Sequence, residues 1–505
     1  MKTMDSNPYV GTFQLTGAVS GMDTQAMVQK LMEVEQQPLN RTQEKFNTLT
    51  YKQNLWMEVD NKLEDFYDYL ITFKLKSNLI PKSATSSDES VLTATAPADA
   101  DNSTFYLKVN SLASPTVLLG ENIDSTIKKS STIGDVIGTT GDSTFTITKG
   151  TNSDTITVSD SETIQNLIDK INASILGVEA KFDDANGKFF IVNKENGSID
   201  ISVSATSGSN GETLITALNL NGTATADSDN TVMTLGSLGQ VELSFDGSTT
   251  ITTYDNLTEN TLNIFGTTID LKSTSSGYVK VSIEQDIDKS VESIKEFVDK
   301  YNETITYVYD LLHEDQVTDK PTEEMTEEDY MKGMLKGDNN LEKIFYNLRN
   351  MVYSPVDIEQ SGSQYNALFD IGITSGDLGA GYENTMKGLL SVDEDKLREA
   401  LNTNAEDVWK LFATNDTTNK EYGYAQSVQN YLYEVTKFNG YIDQIAGTNG
   451  TIGNEMRRLA NEMTNLLDRL QRKEAQYYAQ FSAMEQAIQQ LNAQGLYIQN
   501  AFSNQ

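Results

Sequence analysis

A seven-residue repeat near one end of the chain constrains its fold more than any other feature. Leu49, Trp56, Leu63 and Leu70 recur at that interval, and Lys52, Val59, Phe66 and Phe73 follow each by three places. Large side chains at this spacing line one stripe of an α-helix, here sustained over four heptads with one polar break at Lys52. The stretch predicts a coiled coil, within the chain or between chains. A long amphipathic helix packed on its own domain gives the same pattern. Helical character extends back to Asp23 and is interrupted at Pro38, which lacks an N–H and either kinks a helix or starts a new one. Ser20 or Asp23 is placed to cap the helix, within one to two turns of Met27, Val28 and Leu31.

The other end of the chain has the same character. From about Thr451, residues Ile452, Met456, Leu459, Met463, Leu466 and Leu470 step by four and three. Beyond Lys473 and Tyr477 the stripe shifts onto Phe481, Met484, Ile488 and Leu491, as a stutter in the heptad register would produce. The candidate seam is therefore Leu49, Trp56, Val59, Leu63, Phe66 and Leu70 on the first helix. On the last it is Met456, Leu459, Met463, Leu470, Phe481, Met484, Ile488 and Leu491. These residues are expected to contact one another, a second copy or a larger assembly. Polar Lys52 and Lys473 interrupt the apolar stripe. The simplest geometry brings both ends together as a stalk and folds the middle out as a body.

After Pro81 the composition changes to Ser, Thr, Asp, Asn and Gly with short β-branched runs. VLTATA, FYLKVN, STFTITKG, DTITVS, KFFIVN, IDISVSA, QVELSF and GTTIDLKS read as strands. One helix, Glu162 to Ile175, interrupts them, and Asp183–Lys188 and Phe245–Thr249 have the Asn-Gly and Asp-Gly character of tight hairpins. Helical signal returns at Asp286, passes the acidic run Thr322–Asp329 (a solvated loop or helix start), and continues through NNLEKIFYNLRNMV and Leu390–Phe412. Gly372–Gly381 reads as a loop. The fold class is α+β multidomain: paired long terminal helices as coiled-coil legs, a helix-rich head and inserted β-rich domains. The expected boundaries are 1–80 for the first leg and 81–127 with 239–275 for one β-rich domain. A second β-rich domain is expected at 128–238, the head at 276–427 and the last leg at 428–505.

Charge and residue types narrow the chemistry. The 505-residue chain carries 73 acidic against 38 basic residues, a formal net charge of -35, which disfavours nucleic acid and anionic membrane as partners. It has no cysteine, hence no disulfide, thiolate metal site or thiol nucleophile. The opening MKTMDSNPYVGTFQLTG shows neither basic cluster nor apolar core of a cleaved secretory signal, and no run reaches transmembrane length. The one histidine, His313, has no second imidazole or HExxH around it. The glycines Gly376, Gly379 and Gly381 lack the Lys-Ser/Thr of a phosphate loop, and DDANG lacks the oxygen spacing of a calcium hand. Among 73 acids many pairs arise by accident and none stands out as a glycosidase pair. The reading is a non-enzyme with no cofactor. A secreted adhesin or phage-tail-like fibre shares the outline of helical stalk and β-rich body, and a glycan hydrolase is the third class.

Both termini resemble the bacterial flagellar filament-cap family. Ser20, Gly21, Met22, Asp23, Thr24, Pro38 and Leu39 follow the order of that family's opening element, and FSAMEQAIQQLNAQ (Phe481–Gln494) resembles its closing signature. Phe297, Val298, Tyr301 and Asn302 match an internal helix. Leu335–Asp338, FDIGITSG, LLSVDEDKLREAL and Tyr106–Ala113 follow the family's internal order. Ala18-Val19 departs from a more usual Gly/Leu pair, and the β-rich middle resembles the family least. The resemblance implies a homo-oligomeric plate, commonly a pentamer, at the growing filament end, with terminal helices as legs. It implies flagellin, hook–filament junction proteins and an export chaperone as partners, type III export and an extracellular place at the flagellum tip. It implies no cofactor, no nucleic acid and no membrane insertion.

Overall fold

The computed structural model describes residues 23–221, 231–321, 324–375 and 382–503. Ser20 and most of the Gly372–Gly381 loop therefore lie outside the described residues. The chain divides into two compact units, one from its two ends (up to Leu79 and from Ile287) and one from Ile80 to Asp286.

In the first unit a single helix runs from Thr24 to Phe73. Asp23 caps it, its Oδ1 accepting from the Ala26 N–H at 2.9 Å, which satisfies one of the orphan donors of the first turn. Pro38 does not end the helix. It sits on an exposed face, as does Val34, whose carbonyl loses the intrahelical donor and can turn to water. The second half of this helix is a core element of the head. Phe73 stacks on Phe297 at 4.9 Å, and both meet Phe412 edge-on at 5.5 and 5.3 Å. Those rings come from the helices Ile287–His313 and Glu394–Ala413. Trp56, Val59, Leu63, Phe66 and Leu70 are buried along the same stretch.

The second unit holds two antiparallel β-layered cores. The first has a five-stranded sheet in the order Lys82–Ser86, Val279–Gln285, Ser103–Ser111, Gly239–Ser244, Thr252–Leu257, and a three-stranded sheet of Thr261–Ile264, Thr267–Leu271 and Leu92–Thr95. Alternation decides which face is inward: Phe105, Leu107 and Val109 are buried and meet Val241, Leu243, Ile269 and Val281 in one core. The second core, from Leu118 to Leu220, packs the helix Ile164–Asn172 on strands Val178–Asp183 and Lys188–Asn196. A reciprocal capping box between Thr163 and Asn166 starts that helix. The Asp183–Lys188 turn is a hairpin. Gly187 has φ +60°, and a Cβ there would lie 2.6 Å from the Ile123 carbonyl oxygen.

Two boundaries fall elsewhere than the composition suggests. The chain crosses into the second core at Ser114 and returns at Ser237, where the two backbones exchange hydrogen bonds of 2.9 and 3.0 Å, so the insertion opens before residue 128. Strand Val279–Gln285 lies between two others of the five-stranded sheet, so this unit closes at Asp286 and not at 275. Neither crossing coincides with a shift in composition, and the pairing alone reveals it.

One half-buried carboxyl stands out in the head. Asp60 follows Trp56 by one turn, and its Oδ1 is buried without a hydrogen-bond partner among the described residues. Burial, reinforced by the charges of Glu64 and Asp443, pushes its pKa up to about 6. A raised carboxyl pKa penalises the folded state as pH rises through 4 to 6, in full above that. Asp60→Asn is therefore expected to stabilise the protein at pH 7 and to do little at pH 4. The gain would be about 3 kcal/mol for a fully buried group and is roughly 1–2 kcal/mol for a partly exposed one. Thermal midpoints at the two pH values check this.

Candidate functional site: the paired terminal helices

The first half of the N-terminal helix pairs antiparallel with the last helix, Thr451–Ser503. Val28, Met32 and Leu39 are buried with Leu470 and Tyr478, and Met463, Leu466, Leu467, Tyr477 and Phe481 pack against them. The direction follows from two polar contacts. Thr24 donates its hydroxyl to Glu485 at 3.3 Å, and Glu35, eleven residues on, faces Lys473, twelve residues back. Val28, Met32, Glu35, Leu39 and Thr42 are spaced four, three, four and three, an a/d stripe with a carboxylate in its middle.

Glu35 is the polar centre of the pairing. It accepts from the Tyr477 hydroxyl at 3.2 Å and lies 3.4 Å from the Lys473 ammonium and 3.6 Å from the Arg469 guanidinium. Partial burial is the largest single influence and pushes its carboxyl up. The hydrogen bonds from Tyr477, Lys473 and Arg469 together outweigh it and hold the group below the ordinary glutamate value of 4.5. A depressed carboxyl pKa adds stability above the unfolded value and loses it as pH falls through the folded one. Leg pairing is expected to hold from neutral pH down to about 4.5 and to loosen below. Glu35→Gln should remove that acid dependence and cost less than about 1 kcal/mol at pH 7, since the pair is partly solvated. Hydrogen exchange over residues 24–42 against pH reads both effects.

The expected seam residues fall into three places. Met463, Leu470 and Phe481 lie in the leg pairing. Trp56, Val59, Leu63, Phe66 and Leu70 lie in the head core instead, so the repeat from Leu49 to Phe73 belongs to a helix packed on its own domain. Leu49 is half-buried beside a cleft of about 370 Å³ shared with Lys52, Asp338, Tyr441 and Ile452. Lys52 is paired there with Asp338 at 2.8 Å. Leu459 is buried and Met456 half-buried nearer the start of the last helix. Met484, Ile488 and Leu491 continue the stripe at and beyond the contact with Thr24, and Leu491 is 65% exposed. The last helix runs 18 residues past Glu485, about 27 Å at 1.5 Å per residue. Val28, Met32, Leu39 and Glu35 were detectable from their spacing, but Pro38 breaks the helical signal in their midst.

His313 is exposed, stacked on Tyr309 at 3.9 Å. Among the described residues no group of His, Cys, Asp or Glu is positioned to hold a metal ion, and no helix is long and apolar enough to cross a membrane.

Comparison with known proteins reaches the same two ends. The family model for the flagellar hook-associated protein 2 C-terminus matches residues 240–493, that for its N-terminus matches 20–116, and a flagellin hook IN motif matches 144–195. The flagellar hook-associated protein 2 of Thermotoga maritima is 30% identical, over 97% of this chain and 96% of its own length. That of Halalkalibacterium halodurans is 28% identical, over 97% and 99%. The crystal structure of the D1-D2-D3 domains of the flagellar cap protein FliD from Escherichia coli has the same fold. Its TM-score is 0.54 at 22% identity, covering 77% of this chain and 97% of that one. With the C-terminal model alone spanning half the sequence, the chain belongs to the flagellar hook-associated protein 2 family.

Proposed function

We propose that this protein is the cap of a bacterial flagellar filament, seated at the growing end, where it promotes folding and insertion of exported flagellin. The observation that carries the reading is the family match at both ends, joined to the antiparallel pairing of those ends. The relatives carry flagellar names, and nothing in them favours an adhesin or fibre. The β-rich unit would form the plate and the paired helices the legs. Copies would close into a ring, with five as the expected number, and an export chaperone and the hook–filament junction proteins would be met on the way to the tip. The protein would act outside the cell.

The work described needs binding and release and no covalent step. The apolar stripe beyond Glu485, at Ile488 and Leu491, supports a leg tip that engages filament subunits. Its spacing continues the seam, and Leu491 stands exposed. The test is complementation of a strain lacking its cap. Full-length protein is expected to restore filaments and retain flagellin on the cell, and protein truncated after Gly450 is expected to leave flagellin in the medium. Equal restoration by both would refute the role of the legs.

A further inference from the structure

The first leg helix carries a second apolar stripe beside the one buried against the last helix. Met27, Leu31, Val34 and Pro38 are spaced four, three and four, the interval of a helix seam. Leu31 is 40% and Val34 65% exposed, and Pro38 is exposed with them. Because Pro38 has no N–H to donate, the Val34 carbonyl is an open acceptor in the middle of the stripe.

Positive charge accompanies this stripe. At about 100° per residue, Lys30, Arg41 and Lys45 fall with its apolar residues inside an arc of about 100°, and no acid of residues 24–46 falls there. All three bases are exposed, and Lys45 stands near Glu455. Glu35 lies between the two stripes and reaches Arg469 and Lys473 at 3.6 and 3.4 Å, so two bases of the last helix border the same side and offset its charge. The legs are an exception within the chain. Residues 24–46 and 451–503 hold eight acidic and eight basic residues, and the whole charge of -35 falls on the rest. An acidic partner is repelled by the body of this protein and can be met at the legs.

Apolar anchors at i, i+4, i+7 and i+11 with bases beside them match an amphipathic helix laid along the strip, provided that helix carries acids flanking its own seam. We infer that the outer face of the first leg helix, at Leu31, Val34 and Pro38, seats an acidic amphipathic helix of a filament subunit, held by Lys30, Arg41 and Lys45. The inference rests on the capping function proposed above, in which the legs stand among filament subunits. It adds a surface distinct from the exposed end of the last helix: the side of the other leg helix, where charge as well as apolar contact selects the partner.

Binding of fluorescently labelled full-length protein to the ends of preformed flagellin filaments, counted by microscopy over a concentration series, tests this. Val34→Asp, and Lys30→Glu combined with Arg41→Glu, should each raise the apparent Kd at least tenfold, while Val34→Ile stays within threefold of the parent. Raising salt from about 0.05 to about 0.5 M should weaken the parent at least tenfold. Thermal midpoints check folding, and the substituted positions are exposed. If Val34→Asp fails to fold, the charge-reversed pair decides alone. Parent-like binding by the folded variants, or parent binding that ignores salt, would overturn the inference and leave the capping function standing. So would loss of self-association by Val34→Asp in the absence of filaments, because the face would then seat another copy. A parent that binds no filament end would overturn both the inference and the capping function.

Discussion

Replacing Leu470 with aspartate is expected to separate the legs and abolish filament capping while leaving the head folded. Leu470 is 2% exposed at the centre of a small cluster, with Val28, Met32, Leu39 and Tyr478 as its buried neighbours. Each such side chain contributes about 1.5–3 kcal/mol by leaving water. A carboxylate in that place forfeits its share and must also be desolvated without a partner, for a total of roughly 3–5 kcal/mol. The cluster has little else to offset the loss, because the polar contacts of Glu35 are half in water. Hydrogen exchange should rise in residues 24–42 and 463–485 and stay slow in Ile287–His313. Filament growth in the complementation assay should fall to the level of the truncated protein.

Trp56→Ala is expected to act on the other half of the same helix and with a different outcome. Trp56 is fully buried in the head. Removing its ring leaves a cavity that neighbouring side chains cannot fill, at a cost of about 3–5 kcal/mol. For a unit of this size that is roughly a 10 °C fall in thermal midpoint. Protection should be lost across the head helices, and capping should fail through loss of folded protein. The two substitutions lie on one helix, so the contrast between them separates leg function from head stability. Equal effects on exchange in both regions would mean that legs and head are one cooperative body.

Why the repeat misdirected the seam is visible in its arithmetic. Val28, Glu35, Thr42, Leu49, Trp56, Leu63 and Leu70 form one unbroken column at intervals of seven. Its companion column changes along the way. Before residue 46 the neighbours are Met32 and Leu39, four places on, and after it they are Val59, Phe66 and Phe73, three places on. At 100° per residue that change turns the apolar face by about 50°, from the last helix toward the head helices. The periodicity therefore announced the helix and its length correctly. It could not say that two partners share it, because a stripe specifies that it is covered and not by what.

Other parts of the fold followed the same logic. Strands with clean alternation, such as Ser103–Ser111, were readable from the sequence because one face meets a core and the other meets water. Thr252–Leu257 was not, since neither of its faces is buried and no pattern is imposed on it. Pro115–Gly120 is short and flanked by no strong turn signal, so only its pairing identifies it. The exposed end of the last helix was predictable as a stripe. Glu35 was not predicted as its polar centre, because a lone glutamate in a helix usually lies on a solvated face.

The central claim is that this protein acts at the end of a flagellin filament through its terminal helices. The most direct measurement incubates gold-labelled full-length protein, and the same protein truncated after Gly450, with preformed filaments and maps the label by electron microscopy. The account predicts full-length label at one end of each filament and none with the truncated form. Label along the filament sides, or equal end-labelling by both forms, would contradict it.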